Sequence, residues 1–274
     1  MFYLCRTRGR DVSSFGLAQI YLKIALRRPG CPVCRCCLEA ETHYLKFLLW
    51  EHVNDLGTRV RISQSLGFCE RHARQMLRME LDDWGTPLGN SIIYEGLAQE
   101  VLPRLRDTCQ VVEEEARRGR GQRLLRSLVA WLRSRGAERH RFLVPERGCR
   151  VCELSQENAQ HYAETLAEML SYPQFQAMYE RSDGVCLPHL RLIVQRVGPG
   201  PGLRYLLERT GERMESLRQD LREYGRKQSA QYRAETVTDD ERAAAERAVA
   251  FFGGSMAACP RVEKRSEAVK QAGG

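Results

Sequence analysis

Two phrases in the chain say nearly the same thing: "GFCERH" at 67–72 and "GVCLPH" at 184–189 each place a cysteine and a histidine three apart after a glycine. Each is preceded by a CxxC, Cys31-Pro32-Val33-Cys34 in the first case and Cys149-Arg150-Val151-Cys152 in the second. The stretches between, 35–68 and 153–185, hold 34 and 33 residues, so the chain carries two copies of one unit that differ in length by one residue. With 11 cysteines and 6 histidines among 274 residues, composition alone does not generate such a coincidence.

The text between the anchors repeats as well. "THYLKFLLWEH" aligns with "QHYAETLAEML", placing His43 over His161, Tyr44 over Tyr162 and Leu48 over Leu166. Leu38, Tyr44, Leu45, Leu48, Leu49 and Val53 in copy one, and Tyr162, Ala163, Leu166, Ala167 and Leu170 in copy two, recur at helical spacing and mark a core face. "NDLG" at 54–57 and "SYPQ" at 171–174 interrupt that pattern, so each gap predicts two helices. About 15 residues out and about 15 back cover roughly 22 Å each way, and an antiparallel hairpin would return each CxxH to its own CxxC.

Three cysteines and a histidine suit a closed tetrahedral zinc site, because thiolate and imidazole are preferred donors and a full set leaves no position for chemistry. The expected sets are Cys31, Cys34, Cys69 and His72 for one ion, and Cys149, Cys152, Cys186 and His189 for the other. Cys69 and Cys186 are expected near the first turn of the next helix, where backbone amides favour thiolates. Buried thiol packing explains a single CxxC but not a matched pair of units. An iron–sulfur cluster also accepts cysteine and histidine, and zinc is favoured because short CxxC and CxxH pairs joined across helices resemble structural zinc sites.

Other residues draw attention less strongly. His43 and His161 lie nine residues beyond the second cysteine of their CxxC, about 13 Å along a helix, and read as hydrogen-bonded groups at a core edge. Cys36 and Cys37 have Leu154 and Ser155 as counterparts and read as spare thiols, with a redox or alternative-ligand role open. Cys5, Cys109, Cys259 and His52 have no matched partners and read as packing residues.

The apolar content of 43% and charged content of 28% suit a globular chain able to build a core. No stretch approaches the roughly 18 apolar residues of a membrane span. The N-terminus lacks the order of a secretory signal, so the expected location is the cytoplasm, where cysteines serve metal or redox chemistry rather than disulfides. A net charge of +8 permits an anionic partner without demanding one.

No alternating strand pattern is evident, so the fold class is all-α, with two tandem helical modules each closed by one CxxC…CxxH site. The expected division is 1–110 for the first module, 111–148 for a basic amphipathic connection, 149–235 for the second module, and 236–274 for a short helix and a disordered tail. Val249, Phe251 and Phe252 are expected to dock the short helix. Between the modules, 117–141 carries nine arginines against one acid, Glu138, together with Leu124, Leu125, Leu128, Trp131 and Leu132. That pattern favours a helix packed by its apolar face with its arginines solvated, over a nucleic-acid or anionic surface, for which no named motif is present.

These motifs resemble an uncharacterised prokaryotic domain-of-unknown-function family of cytoplasmic proteins, with CPVC early, GFCxxH about 38 residues later and a degenerate second copy. The resemblance rests on Cys31, Cys34, Gly67, Phe68, Cys69 and His72, then Cys149, Cys152, Cys186 and His189, and more weakly on "EYGRKQSAQYRAE" at 223–235. It runs from about 20 to 254. The chain departs from the family pattern at Val185, where the first copy has Phe68, and in its extra Cys36 and Cys37. The resemblance implies membership but no reaction.

The sequence contains no nucleophile elbow, phosphate-binding glycine loop or paired-carboxylate set. The expected function is a metal-stabilised helical interaction or regulatory module holding two zinc ions and recruiting a protein partner, without turnover. The alternatives are a thiol redox protein or sensor using the CxxC cysteines, which lacks the βαβ context of a thioredoxin-like motif, and nucleic-acid binding through 117–141.

Overall fold

The structure is a computed structural model that describes residues 16–121 and 143–254. The described residues are helical and contain no strand, in agreement with the all-α expectation. Helix α1 spans Leu17–Ala25, α2 Pro32–Phe47, α3 Leu56–Gln64, α4 Glu70–Trp84 and α5 Leu88–Gly121. The second copy follows as α6 over Arg150–Met169, α7 over Pro173–Glu180, α8 over Leu187–Arg196 and α9 over Pro201–Lys227, with α10 over Asp239–Gly253. Thus α2 to α5 repeat as α6 to α9.

The one-residue difference between the copies has a structural home. Equivalent positions lie 118 apart through Leu48 and Leu166, but 117 apart from Asp55 and Tyr172, which cap α3 and α7. The extra residue therefore falls between 48 and 55, where α2 runs into a turn of π-helix, Leu48–His52. A π turn spans one more residue than an α turn, so it absorbs the insertion and keeps Leu48, Leu49 and Val53 on the buried face.

The helix stops are local. Asp55 Oδ2 accepts the Thr58 amide at 2.7 Å, and Pro173 opens α7 where no amide donor is needed. Gly85 ends α4 in the left-handed conformation. Gly67 and Gly184, with φ of 98° and 78°, make the turns that deliver Cys69 and Cys186 as the caps of α4 and α8.

The chain divides into two compact units, and they are interleaved. One comprises Met1–Glu39 with Gln156–Gly274, the other Ala40–Ser155. Both boundaries fall inside a continuous helix, α2 or α6, so this division does not follow the sequential 1–110 and 149–235 modules. In the first unit Leu22, Leu26 and Val33 pack with Leu166, Leu170, Tyr179, Ile193 and Leu206. In the second, Leu45, Leu48, Ile62, Met76, Ile93 and Val151 form the core. Each unit is built around the body of one copy and completed by the CxxC end of the other.

Buried carboxylates mark two junctions. Glu80, on the same face of α4 as His72 and Met76, accepts the Asn90 amide at 3.0 Å and the Asn90 Nδ2 at 2.6 Å, as well as the Gly89 amide. It thereby satisfies orphan donors in the first turn of α5. Glu241 closes a capping box with Thr238 and accepts Lys227 Nζ at 2.7 and 2.9 Å, tying α10 to the end of α9. The last helix is held by Ala244, by this ion pair and by Arg247, which pairs with Asp220 of α9; of the residues expected to dock it, Phe251 is half-buried, whereas Val249 and Phe252 are exposed. Most of the basic segment (122–141) and the tail beyond 254 lie outside the described residues.

At Gly202, α9 passes close against the backbone at the end of α6. A Cβ there would collide with the Ala167 carbonyl oxygen and stand 2.9 Å from Ser171 Oγ. Backbone cannot retreat as a side-chain tip can, so Gly202→Ala is expected to lower stability by about 1–3 kcal/mol through overpacking, read as a reduced urea midpoint at unchanged slope.

Candidate metal centres

The eight cysteines and histidines expected as ligands all lie at helix N-termini. Cys31 immediately precedes α2 and Cys34 sits in its first turn; Cys149 and Cys152 do the same for α6. Cys69 and Cys186 cap α4 and α8 in extended conformation, with His72 and His189 one turn in. At such positions the unpaired amides and the helix dipole favour a thiolate.

The structure gathers these eight into two tetrads, but not the expected ones. Cys31 and Cys34 meet Cys186 and His189, while Cys149 and Cys152 meet Cys69 and His72; within each group the donor atoms lie within 4.8 Å of one another. The expected closure of each copy on itself, Cys31, Cys34, Cys69 and His72 in one and Cys149, Cys152, Cys186 and His189 in the other, is corrected: CxxC of each copy faces CxxH of the other.

Helix length explains the exchange. α2 and its π turn carry the chain outward for 21 residues, about 31 Å, whereas α3 returns only nine, about 13 Å. In copy two, α6 runs 20 residues and α7 returns eight. Equal arms were assumed in the hairpin expectation, and with unequal arms the CxxH stops well short of its own CxxC.

The spacing inside each tetrad tests which kind of metal fits. A tetrahedral ion with bonds of about 2.3 Å to sulfur and about 2.05 Å to nitrogen sets sulfurs about 3.8 Å apart and sulfur about 3.5 Å from nitrogen. His189 Nδ1 lies 3.5, 3.3 and 3.2 Å from the sulfurs of Cys31, Cys34 and Cys186, and Cys34 and Cys186 are 3.6 Å apart. His72 Nδ1 lies 3.2, 3.5 and 3.3 Å from Cys69, Cys149 and Cys152, with 3.6 Å between Cys69 and Cys152. Both groups could hold one metal ion each, with histidine presenting Nδ1.

Protonation follows the same contacts. Burial opposes the charged forms, but hydrogen bonds from His72 and from backbone amides bring the Cys149 thiol down to about 6. Burial likewise works against a charged His72, yet Cys149 and Glu41 outweigh it and raise the imidazole to about 9. In the other tetrad, hydrogen bonds from Cys31 and Cys34 lower Cys186, and His189 is raised to about 12 against its burial. Burial and the neighbouring Cys69 push Cys152 up to about 12.

The surroundings of the two histidines differ. Glu41, only 1% exposed, places Oε2 3.5 Å from His72 Nε2, is hydrogen bonded to Ser155, and pairs with Arg71 at the surface. The copy-two counterpart of Glu41 is Ala159, and that of Ser155 is Cys37, which hydrogen bonds to His189. Cys37 is therefore an outer partner of a ligand, and Cys36 is 1% exposed with burial holding its thiol protonated. The tetrads also differ in access: Cys31 and Cys186 are buried, whereas Cys152 is exposed.

Glu41 was missed by the sequence reading, although a signal existed. It occupies a position on the Leu38, Leu45, Leu48 stripe, where a carboxylate needs a buried partner. His43 and His161, expected at a core edge, are both exposed. Cys109 is exposed, and His52 stacks on Phe47 with centroids 4.4 Å apart. Cys5 and Cys259 lie outside the described residues.

An all-helical chain with two crossed groups of three cysteines and a histidine is the class that fold and site define. Residues 18–258 match the model of a family of unknown function (DUF6062), and the chain belongs to that family. No curated protein and no solved structure matches it.

A carboxylate on the far nitrogen of a ligating histidine fixes its tautomer and raises its basicity. Glu41→Gln is therefore expected to weaken metal binding at the Cys69, His72, Cys149 and Cys152 group by about 10–100-fold and to leave the other unchanged, as measured by competition with a chromophoric chelator.

Proposed function

We propose that this protein is a zinc-stabilised helical interaction module, with one ion in each tetrad and no catalytic turnover. The observation that carries the reading is the gathering of both donor sets at the spacing a single tetrahedral ion imposes. In an iron–sulfur cluster the protein ligands are spread over two or more irons, so four donors that all lie within 4.8 Å of one another favour a mononuclear ion. Three thiolates and one imidazole also fill a tetrahedral shell and leave no position for substrate.

Magnitude supports a structural role. A structural zinc ion contributes about 10–16 kcal/mol of apparent binding free energy, as large as the roughly 5–15 kcal/mol net stability of a whole domain. Each ion would join segments more than 75 residues apart in sequence, Cys34 with Cys186 (|i−j| of 152) and Cys149 with His72 (|i−j| of 77).

The surface supports an interaction role. Trp50, 73% exposed, stands 5.9 Å from the Trp84 ring, with Leu88 also exposed on the same unit. Exposed apolar side chains of this size are costly in water and mark sites of protein contact. No helix among the described residues is long and apolar enough to cross a membrane.

A second reading, thiol redox sensing, is favoured by one observation, the exposure of Cys152 within a tetrad. Buried Cys36 and Cys37 are poor resolving thiols for it. Nucleic-acid binding by 117–141 concerns a segment mostly outside the described residues.

Elemental analysis of protein purified without added metal tests the main reading. About two zinc ions per chain are expected. Cys31→Ser with Cys186→Ser should retain one ion, because both changes strike the same site. Cys31→Ser with Cys69→Ser should retain none. Iron, an absence of metal, or the reverse pattern in the double variants would overturn the reading.

A further inference from the structure

The unit that carries Cys31 and Cys186 contains a cavity of about 340 Å³, bounded by the 182–186 loop, α9 and α10. Ligand pockets run from about 300 to 1,000 Å³ and are mostly apolar with a few placed polar groups. This cavity follows that pattern, with Met214, Leu217, Ala250 and Phe251 against two arginines, Arg213 and Arg247.

The arginines are not equivalent. Arg247 donates to Asp220 Oδ2 at 2.7 Å and to the Asp240 carbonyl at 2.9 Å, so a carboxylate already offsets its charge. Arg213 lies over the Tyr179 ring at 4.8 Å, and its Nη2 donates to the carbonyl oxygens of Tyr179 and Glu180 at 2.8 and 3.1 Å. None of these partners is a carboxylate, and its Nη1 is buried without a hydrogen-bond partner. A half-buried guanidinium held by neutral carbonyls retains a full positive charge in poorly hydrated surroundings.

The backbone makes room for that guanidinium. A Cβ on Gly184 would collide with Arg213 Nη1 and stand 3.1 Å from the Tyr179 hydroxyl. Tyr179 in turn accepts the Val185 amide at 3.2 Å, so ring, loop and guanidinium are set together. The acid on this wall, Asp183, is exposed and accepts the Gly30 amide at 2.6 Å.

We propose that this cavity binds a small organic monoanion, a carboxylate on a compact apolar body, with the carboxylate at Arg213 and the body against Met214, Leu217 and Phe251. The cavity size limits the body to the small end of ligand space. Arg213 supplies the positive charge that attracts the head across a poorly hydrated wall. Three thiolates around a divalent ion would carry net negative charge at the Cys31 and Cys186 end, which orients the ligand's head away from the sulfurs.

The test is a titration of the full, metal-analysed chain with octanoate and 3-phenylpropionate, and with their neutral amides, followed by amide NMR. The carboxylates are expected to shift Val185, Leu217 and Ala250 and to bind at least about tenfold more tightly than the amides. Arg213→Gln should remove that preference. Ser216→Trp, at an exposed position on the cavity wall, should block both acids without touching the charge, which keeps the test sound if the arginine variant fails to fold. Equal binding of acid and amide, shifts elsewhere, no binding of any probe, or a folded Arg213→Gln chain that binds acids unchanged would overturn the inference. Loss of metal from that variant without loss of acid binding would assign Arg213 to offsetting the thiolates and would overturn it too. A chain with two zinc ions that ignores all four probes sinks this inference alone, whereas a metal-free chain that binds the acids sinks only the zinc reading.

Discussion

Two helix N-termini converge on each tetrad, α2 with α8 in one and α6 with α4 in the other, and the rest of the architecture follows from that convergence. Facing N-termini repel through their unpaired amides, so bringing them together requires negative charge between them. Thiolates supply it, and an ion that accepts three thiolates and an imidazole would hold both ends at once. The same convergence leaves the CxxC of each copy seated in the unit built from the other.

That exchange gives the two units a shared dependence without making them identical. One tetrad has a buried carboxylate behind its histidine and an exposed cysteine; the other has a thiol behind its histidine and two buried cysteines. The same donor types occur in both tetrads, and what differs is what stands behind them, Glu41 against Ala159 and Cys37 against Ser155. Outer partners tune basicity and access while the inner donors keep the geometry. The extra residue of copy one was absorbed in the same spirit, by a π turn that leaves the buried stripe in register.

Much of this was legible in the chain. The helical periodicity marked Leu38, Tyr44, Leu45, Leu48, Leu49 and Val53, and Tyr162, Ala163, Leu166, Ala167 and Leu170; Leu38 and Tyr44 are half-buried and the rest are buried. The breaks at Asn54–Gly57 and Ser171–Gln174 fall where α3 and α7 begin. Cys69 and Cys186 cap helices, as their glycine and histidine neighbours implied. Glu41 was also readable in principle, as a charge on an apolar stripe. Docking of the last helix was legible only in part: of Val249, Phe251 and Phe252 only Phe251 is half-buried, and the Lys227–Glu241 and Arg247–Asp220 pairs together with Ala244 hold it.

The sequence by itself determined the helices, their buried faces, and the identity of the eight clustered residues, because periodicity and donor chemistry are local properties of the chain. Only the tertiary structure decided which donors meet. Ligand spacing along the chain permits either pairing, and the choice rests on how far each helix carries the chain before it turns: about 31 Å outward against about 13 Å back in copy one. Helix ends shift by a few residues without changing any motif, so that difference is invisible in the pattern of cysteines and histidines and appears only once both copies are folded together.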